Sequence, residues 1–175
     1  MSNIIIYGSH YGTTKQYAEE LSKRTNIEAI SFENVKEIND YNNIIYLGGL
    51  YAGGVLGLSK TIKKMNTISN KKIIIVTVGL SDPIDEVNKK NIRDNIKRQI
   101  PKEFFEKTKI FHLRGGIDYS RLNFVHKTMM KLLYNSVKNL PEEKQTAEDK
   151  AMIETYNKKV SFVDFSSLDK IVSEI

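Results

Sequence analysis

Five short apolar runs, separated by segments of helical period, constrain this chain more than any other feature. The runs cover residues 3–7, 27–32, 43–47, 72–78 and 109–113. The first, third and fourth are continuous and rich in isoleucine or valine, the pattern of strands covered on both faces. Residues 14–23 place Tyr17, Ala18 and Leu21 at helical spacing. Residues 58–68 do so with Leu58, Ile62, Met65 and Ile68, and residues 85–100 with Val87, Ile92, Ile96 and Ile100. Strands alternating with helices imply right-handed crossovers and a parallel sheet with helices on both faces. The expected fold class is α/β, a five-stranded parallel sheet in the order 2-1-3-4-5 with its switch point between strands one and three. A chain of 175 residues suits a single domain over 1–175 that buries roughly 70% of its unfolded surface. Residues 119–165 are expected to form a helical or polar insertion or tail after strand five.

Glycine placement adds a functional signal. Gly8 and Gly12 follow the first run, Gly48, Gly49, Gly53, Gly54 and Gly57 the third, Gly79 the fourth, and Gly115 and Gly116 the fifth. None marks the opposite edge of the sheet. Strand-to-helix turns use glycine in any case, but five within residues 48–57 exceed that need. Glycine lets a ligand approach the backbone, and open α/β sheets bind ligands at this edge. The expected ligand is flat or extended and lies against several loops.

The first loop reads Gly8-Ser9-His10-Tyr11-Gly12-Thr13-Thr14 and leads into a helix. A helix start offers unpaired N–H groups and partial positive charge, and the hydroxyls of Ser9, Thr13 and Thr14 add donors, so a phosphate can be cradled without a lysine. The Walker sequence is absent, and Gly8-x-x-x-Gly12 lacks the spacing of the dinucleotide pattern. Leu47-Gly48-Gly49 stands where a phosphoacceptor receiver would need an aspartate.

With these loops in view the sequence resembles the flavodoxins. Ser9-x-x-Gly12-x-Thr14 is similar to their FMN phosphate loop, with Tyr11 in place of the expected hydroxyl. The resemblance implies FMN as cofactor. It implies binding residues Ser9, His10, Tyr11, Gly12, Thr13 and Thr14 in the first loop, and Gly49, Leu50, Tyr51, Ala52 and Gly53 in the second. Gly115, Gly116, Ile117, Asp118 and Tyr119 form the third loop, with the second and third flanking the isoalloxazine ring. On physical grounds the ring needs a flat apolar slot, and Tyr51 and Tyr119 are candidates to wall it.

A narrower resemblance, to the flavodoxin-like protoporphyrinogen dehydrogenases, rests on Arg114-Gly115-Gly116-Ile117-Asp118-Tyr119 preceding a basic, methionine-containing helix at 121–137. A polar stretch and a closing helix at 166–175 follow. The resemblance implies a porphyrinogen-type substrate and a quinone-type acceptor. An electron carrier serving a partner protein, and a flavin-free interaction domain using the basic helix, are the alternatives. Carrier flavodoxins are usually acidic and often place a tryptophan on the flavin, whereas this chain has a net charge of +6 and no tryptophan.

The absence of cysteine excludes disulfides, thiolate metal sites and cysteine nucleophiles, so any redox chemistry needs a bound cofactor. Histidine occurs only at His10, His112 and His126, and no metal site is expected. No catalytic base or nucleophile stands out; His112 reads as structural and His126 as surface. Residues 119–140 carry four basic and no acidic groups. There Leu122, Val125, Met129, Leu133 and Val137 form an apolar face, expected to pack on the domain or on a second subunit as a homo-oligomer. Phe124, Lys127, Lys131, Tyr134 and Lys138 form a second face. Lys127, Lys131 and Lys138 suit peripheral contact with an anionic membrane; no nucleic-acid recognition pattern is present. The longest uncharged stretch, residues 41–59, contains Asn42, Asn43 and five glycines, which argues against a spanning helix. The expected location is cytoplasmic, with the inner face of the membrane as a peripheral site.

Overall fold

The computed structural model describes residues 2–51, 53–68 and 71–175. Strands β1 (Asn3–Gly8), β2 (Ala29–Ser31), β3 (Asn43–Tyr51), β5 (Lys72–Gly79) and β6 (Thr108–Arg114) form a parallel sheet in the order β2-β1-β3-β5-β6. This is the expected 2-1-3-4-5 arrangement. β4 (Gly54–Val55) folds back antiparallel onto the end of β3, Leu50 opposite Val55.

Side chains alternate across each strand, which divides the core into two layers. Ile4, Ile6, Ile44, Tyr46, Ile73 and Ile75 face one side, against α2 (Leu58–Ile62), α3 (Glu86–Gln99) and α4 (Lys102–Glu106). Ile5, Ile45, Leu47, Ile74, Val76 and Val78 face the other, against Tyr17, Ala18 and Leu21 of α1 (Thr13–Thr25) and Ile171 of α7 (Asp169–Val172). Both layers are needed because parallel strands bury both faces.

Several expected boundaries move. The helix expected over 58–68 stops at Ile62, although Met65 and Ile68 stay buried beyond it. Val87 is exposed rather than core, because the inward side of α3 runs through Asn88, Ile92 and Ile96 at i, i+4 spacing. The closing helix is a 3-10 turn, Phe165–Leu168, running into the short α7.

Between β6 and α7 lies a separate layer. β7 (Gly116–Asp118) pairs antiparallel with β8 (Lys159–Ser161), and α5 (Phe124–Val137) and α6 (Ala147–Thr155) lie between them in sequence. Asn123 caps α5 through its side chain, and Thr146 with Asp149 forms a capping box on α6. Tyr134 of α5 stacks on Tyr156 at 3.9 Å between ring centres.

No residue of α5 is fully buried. The apolar face expected at Leu122, Val125, Met129, Leu133 and Val137 is only partly covered: Leu122 is buried, but Val125 is 69% and Leu133 45% exposed. The helix is rotated so that His126, Met129 and Met130 face the sheet edge. Among the described residues no helix is long and apolar enough to cross a membrane.

Tyr17 ties this layer to the sheet. Its hydroxyl donates to the Arg114 carbonyl (2.8 Å) and accepts from the Asp164 amide (3.0 Å), joining α1, the end of β6 and the returning chain. Its ring meets Phe165 edge-on at 5.6 Å. The expected effect of Tyr17→Phe is a loss of about 1–3 kcal/mol in urea unfolding, from two lost hydrogen bonds and an orphaned carbonyl. An unchanged midpoint would show that this junction does not hold the layer.

Candidate functional site

The carboxyl ends of the four longer parallel strands converge on one cavity of about 180 Å³. Its shape follows from strand register. Gly8 pairs with Gly48, and Gly49 with Val78, so the turns leaving β1, β3 and β5 start at nearly one level. Close approach demands glycine there: a Cβ on Gly8 would strike the Leu56 carbonyl, and one on Gly48 the Val55 side chain.

The first loop contributes Ser9, His10, Tyr11, Thr13 and Thr14 to the cavity wall. Gly12 holds φ +97° as the residue before α1, a left-handed conformation that a side chain resists. The Ser9 hydroxyl accepts the Gly12 amide at 3.1 Å. The first turn of α1 has no acidic residue and no side-chain cap, leaving its N–H groups for a ligand. Thr14 is buried beneath the second loop, its hydroxyl oxygen 3.2 Å from where a Cβ on Gly49 would stand. This donor set fits a phosphate.

The second loop contributes Gly49, Leu50 and Tyr51, and the third Gly115, Gly116 and Ile117. Ala52 lies outside the described residues. Gly53, expected in the site, is exposed and does not line the cavity. Gly115 lets the third loop close on the first: a Cβ there would stand 2.8 Å from Val78 and 3.3 Å from Thr13. The lining is mostly apolar, with Leu50, Leu56, Val78, Ile117 and Met129 among its walls. By its chemistry such a lining suits the faces of a flat ring.

Asp118 and Tyr119 do not line this cavity; they border a second groove on the far side of the third loop. Tyr119 is drawn away by packing on Tyr156, ring centres 5.4 Å apart. Burial and the neighbouring Tyr156 push its phenol up to about 12. The Asp118 carboxylate accepts from the hydroxyl (2.6 Å) and amide (3.0 Å) of Ser120 and pairs with Lys159, which holds it below the ordinary carboxylate range. Tyr51 is thus a wall of the slot and Tyr119 is not.

Beyond the expected residues, Leu56 and two further groups line the cavity. Val78, Gly79 and Leu80 leave β5 at the cavity; Gly79 at a strand end was the available signal. Leu122, His126, Met129 and Met130 come from the α5 region. His126 joins an aromatic cluster with His10, Tyr11 and Tyr51. Its position depends on how α5 docks, which local pattern does not carry.

His112 lies outside this cavity. It shares a 2.7 Å hydrogen bond with Thr77 on the neighbouring strand. Burial, reinforced by the charges of Arg93 and Lys89, pushes it down to about 4. Among the described residues, no group of three or more His, Asp or Glu side chains is placed to hold a metal.

The chain matches the flavodoxin-domain family over residues 4–146 and belongs to it. That membership supports FMN as the cofactor. No curated protein matches the sequence. Solved structures of similar fold include a flavoprotein in complex with FMN from Lactobacillus acidophilus, 11% identical, with a TM-score of 0.42, covering 65% of this chain and 91% of that one. An azoreductase from Bacillus anthracis is 8% identical, with a TM-score of 0.45 and coverage of 90% and 99%. Oxidised flavodoxin 1 from Bacillus cereus is 15% identical, with a TM-score of 0.39 and coverage of 81% and 100%.

The depressed His112 value has a stability consequence. The folded protein keeps this imidazole neutral, whereas the unfolded chain protonates it near its ordinary value of 6.5. The unfolded state then binds more protons, so stability is lost as pH falls from about 6.5 towards 4. A His112→Asn variant should lose less of its urea midpoint across that window than the wild type. Parallel losses would contradict the assignment.

Proposed function

We propose that this protein holds FMN in the cavity at the carboxyl edge of the sheet and passes electrons through it to or from a redox partner. One observation carries the reading: an uncapped helix start and an apolar slot open into the same cavity, bounded by the turns after β1, β3, β5 and β6. Bound FMN supplies the electron chemistry. The chain's own residues bind and orient it. Ser9, Thr13, Thr14 and the first amides of α1 hold the phosphate by charge-assisted hydrogen bonds. Gly49, Leu50 and Tyr51 on one side, with Gly115, Gly116 and Ile117 on the other, flank the ring and exclude water from it.

The finer reading is a protoporphyrinogen dehydrogenase that delivers electrons to a quinone-type acceptor. Its support is the resemblance of residues 114–119 and the basic helix that follows, here α5. Turnover of protoporphyrinogen by the FMN-loaded protein with a dye acceptor is its test; no turnover would leave a carrier serving a protein partner. Peripheral membrane contact belongs to the same reading. At about 100° per residue, Lys127, Lys131 and Lys138 share an arc of α5 with Phe124, which is 83% exposed.

Replacing Thr14 with valine should weaken FMN binding by about 1–3 kcal/mol in a calorimetric titration, through one lost charge-assisted hydrogen bond. Wild-type affinity in that variant would remove Thr14 from the site, and a wild type that takes up no FMN would remove the cofactor. The triple change Lys127→Gln, Lys131→Gln and Lys138→Gln should reduce binding to phosphatidylglycerol vesicles by about 3 kcal/mol, at about 1 kcal/mol per near-surface lysine. Undiminished binding would reject the membrane contact.

A further inference from the structure

His126 is the side chain that fastens α5 to the sheet edge. Its Nδ1 is hydrogen-bonded to the Tyr11 hydroxyl of the first loop, and its Nε2 to the Tyr51 hydroxyl of the second at 2.6 Å. A neutral imidazole donates from one nitrogen and accepts at the other, and a phenol hydroxyl can do either, so both bonds form together. His10 packs edge-on against the same group, 4.9 Å from Tyr51 and 5.5 Å from His126 between ring centres. Three chain segments distant in sequence are thus locked at one point.

The rest of α5 is loosely attached. None of its residues is fully buried, and Val125 and Leu132 are 69% and 66% exposed. Tyr134 stacks on Tyr156, toward α6 rather than toward the sheet. With α5 in place, the cavity beneath it measures about 180 Å³. Pockets that hold small-molecule ligands run from about 300 to 1,000 Å³. The cavity in this arrangement lies below that range, though part of it opens to solvent.

We propose that α5 is a movable wall of the cofactor site and that His126, bound between Tyr11 and Tyr51, is the latch that FMN must open to enter. The inference rests on the FMN reading above and adds an entry step to it. The ligand class is a phosphorylated planar ring: its phosphate meets the first loop, and its ring competes with the imidazole for the space between the two tyrosines. The helix, with little buried surface of its own, swings away at small cost and returns once the latch closes.

The test compares the wild type with His126→Ala and with the double variant Tyr11→Phe/Tyr51→Phe, which keeps both rings and removes both hydroxyls. Stopped-flow quenching of flavin fluorescence measures FMN association and dissociation with the apoprotein. Hydrogen exchange in the FMN-free state measures protection of the α5 amides, with β5 as internal reference. Both variants should associate with FMN about thirtyfold faster, the scale of two net hydrogen bonds at about 1 kcal/mol each, and should lose protection in α5 but not in β5. Wild-type association rates in either variant, or unchanged α5 protection, would overturn the latch. Should the wild type itself take up no FMN, the cofactor reading fails instead; FMN binding with unchanged kinetics sinks only the movable wall.

Discussion

The architecture depends on backbone meeting backbone along one rim of the sheet. Gly8 and Gly48 are paired neighbours at the carboxyl ends of β1 and β3, and the Leu56 carbonyl crosses close to both. Side chains at either position would push the second loop away from the first. The close approach lets Thr14 lie buried against Gly49 and lets Gly115 bring the third loop onto Thr13. The cavity is a consequence of that contact. Its walls are loops, but its floor is a sheet buried on both faces, so its position is set by the most rigid part of the chain.

The segment between β6 and α7 forms a layer of its own beside the sheet. The chain leaves the sheet at Arg114, builds the β7–β8 ribbon with α5 and α6, then returns so that Leu168 and Ile171 are fully buried against α1. Arg114 is held at the point of departure: its Nε donates to the Leu80 carbonyl and its guanidinium sits 3.7 Å from the centre of the Phe162 ring. Tyr17 bonds to both the outgoing and the returning strand of chain. The layer is therefore tied at its base, while α5 at its outer edge rests over the cavity with much of its surface in solvent.

Legibility in the sequence followed the physics of each element. Strands of the central sheet were readable because burial on both faces leaves continuous isoleucine and valine runs such as 43–47 and 72–78. The first loop was readable as a candidate phosphate cradle because its signal is local: Ser9, Gly12 and Thr14 lie within a few residues of one another. The β7–β8 ribbon was not, since its strands are three residues each and pair across some forty intervening positions. Helix α6 hid in a polar segment whose only clear signal is the Thr146–Asp149 box. Tyr119 lies away from the cavity and His126 lines it, against expectation, for a related reason. The tyrosine stands beside the third loop in sequence but packs on Tyr156, while the histidine stands seven residues further on and reaches the cavity. Both placements are decided by how α5 and α6 dock, a tertiary contact that no local period records.

The central claim is that one rim of the sheet holds a phosphorylated planar cofactor. Amide chemical-shift mapping during FMN titration of the isotope-labelled protein tests it most directly. The account predicts large shifts confined to residues 9–14, 49–51, 78–80 and 115–117, with α5 responding and the amino-terminal ends of β1, β3 and β5 silent. Shifts scattered over the surface, centred on the opposite edge, or absent at saturating FMN would contradict it.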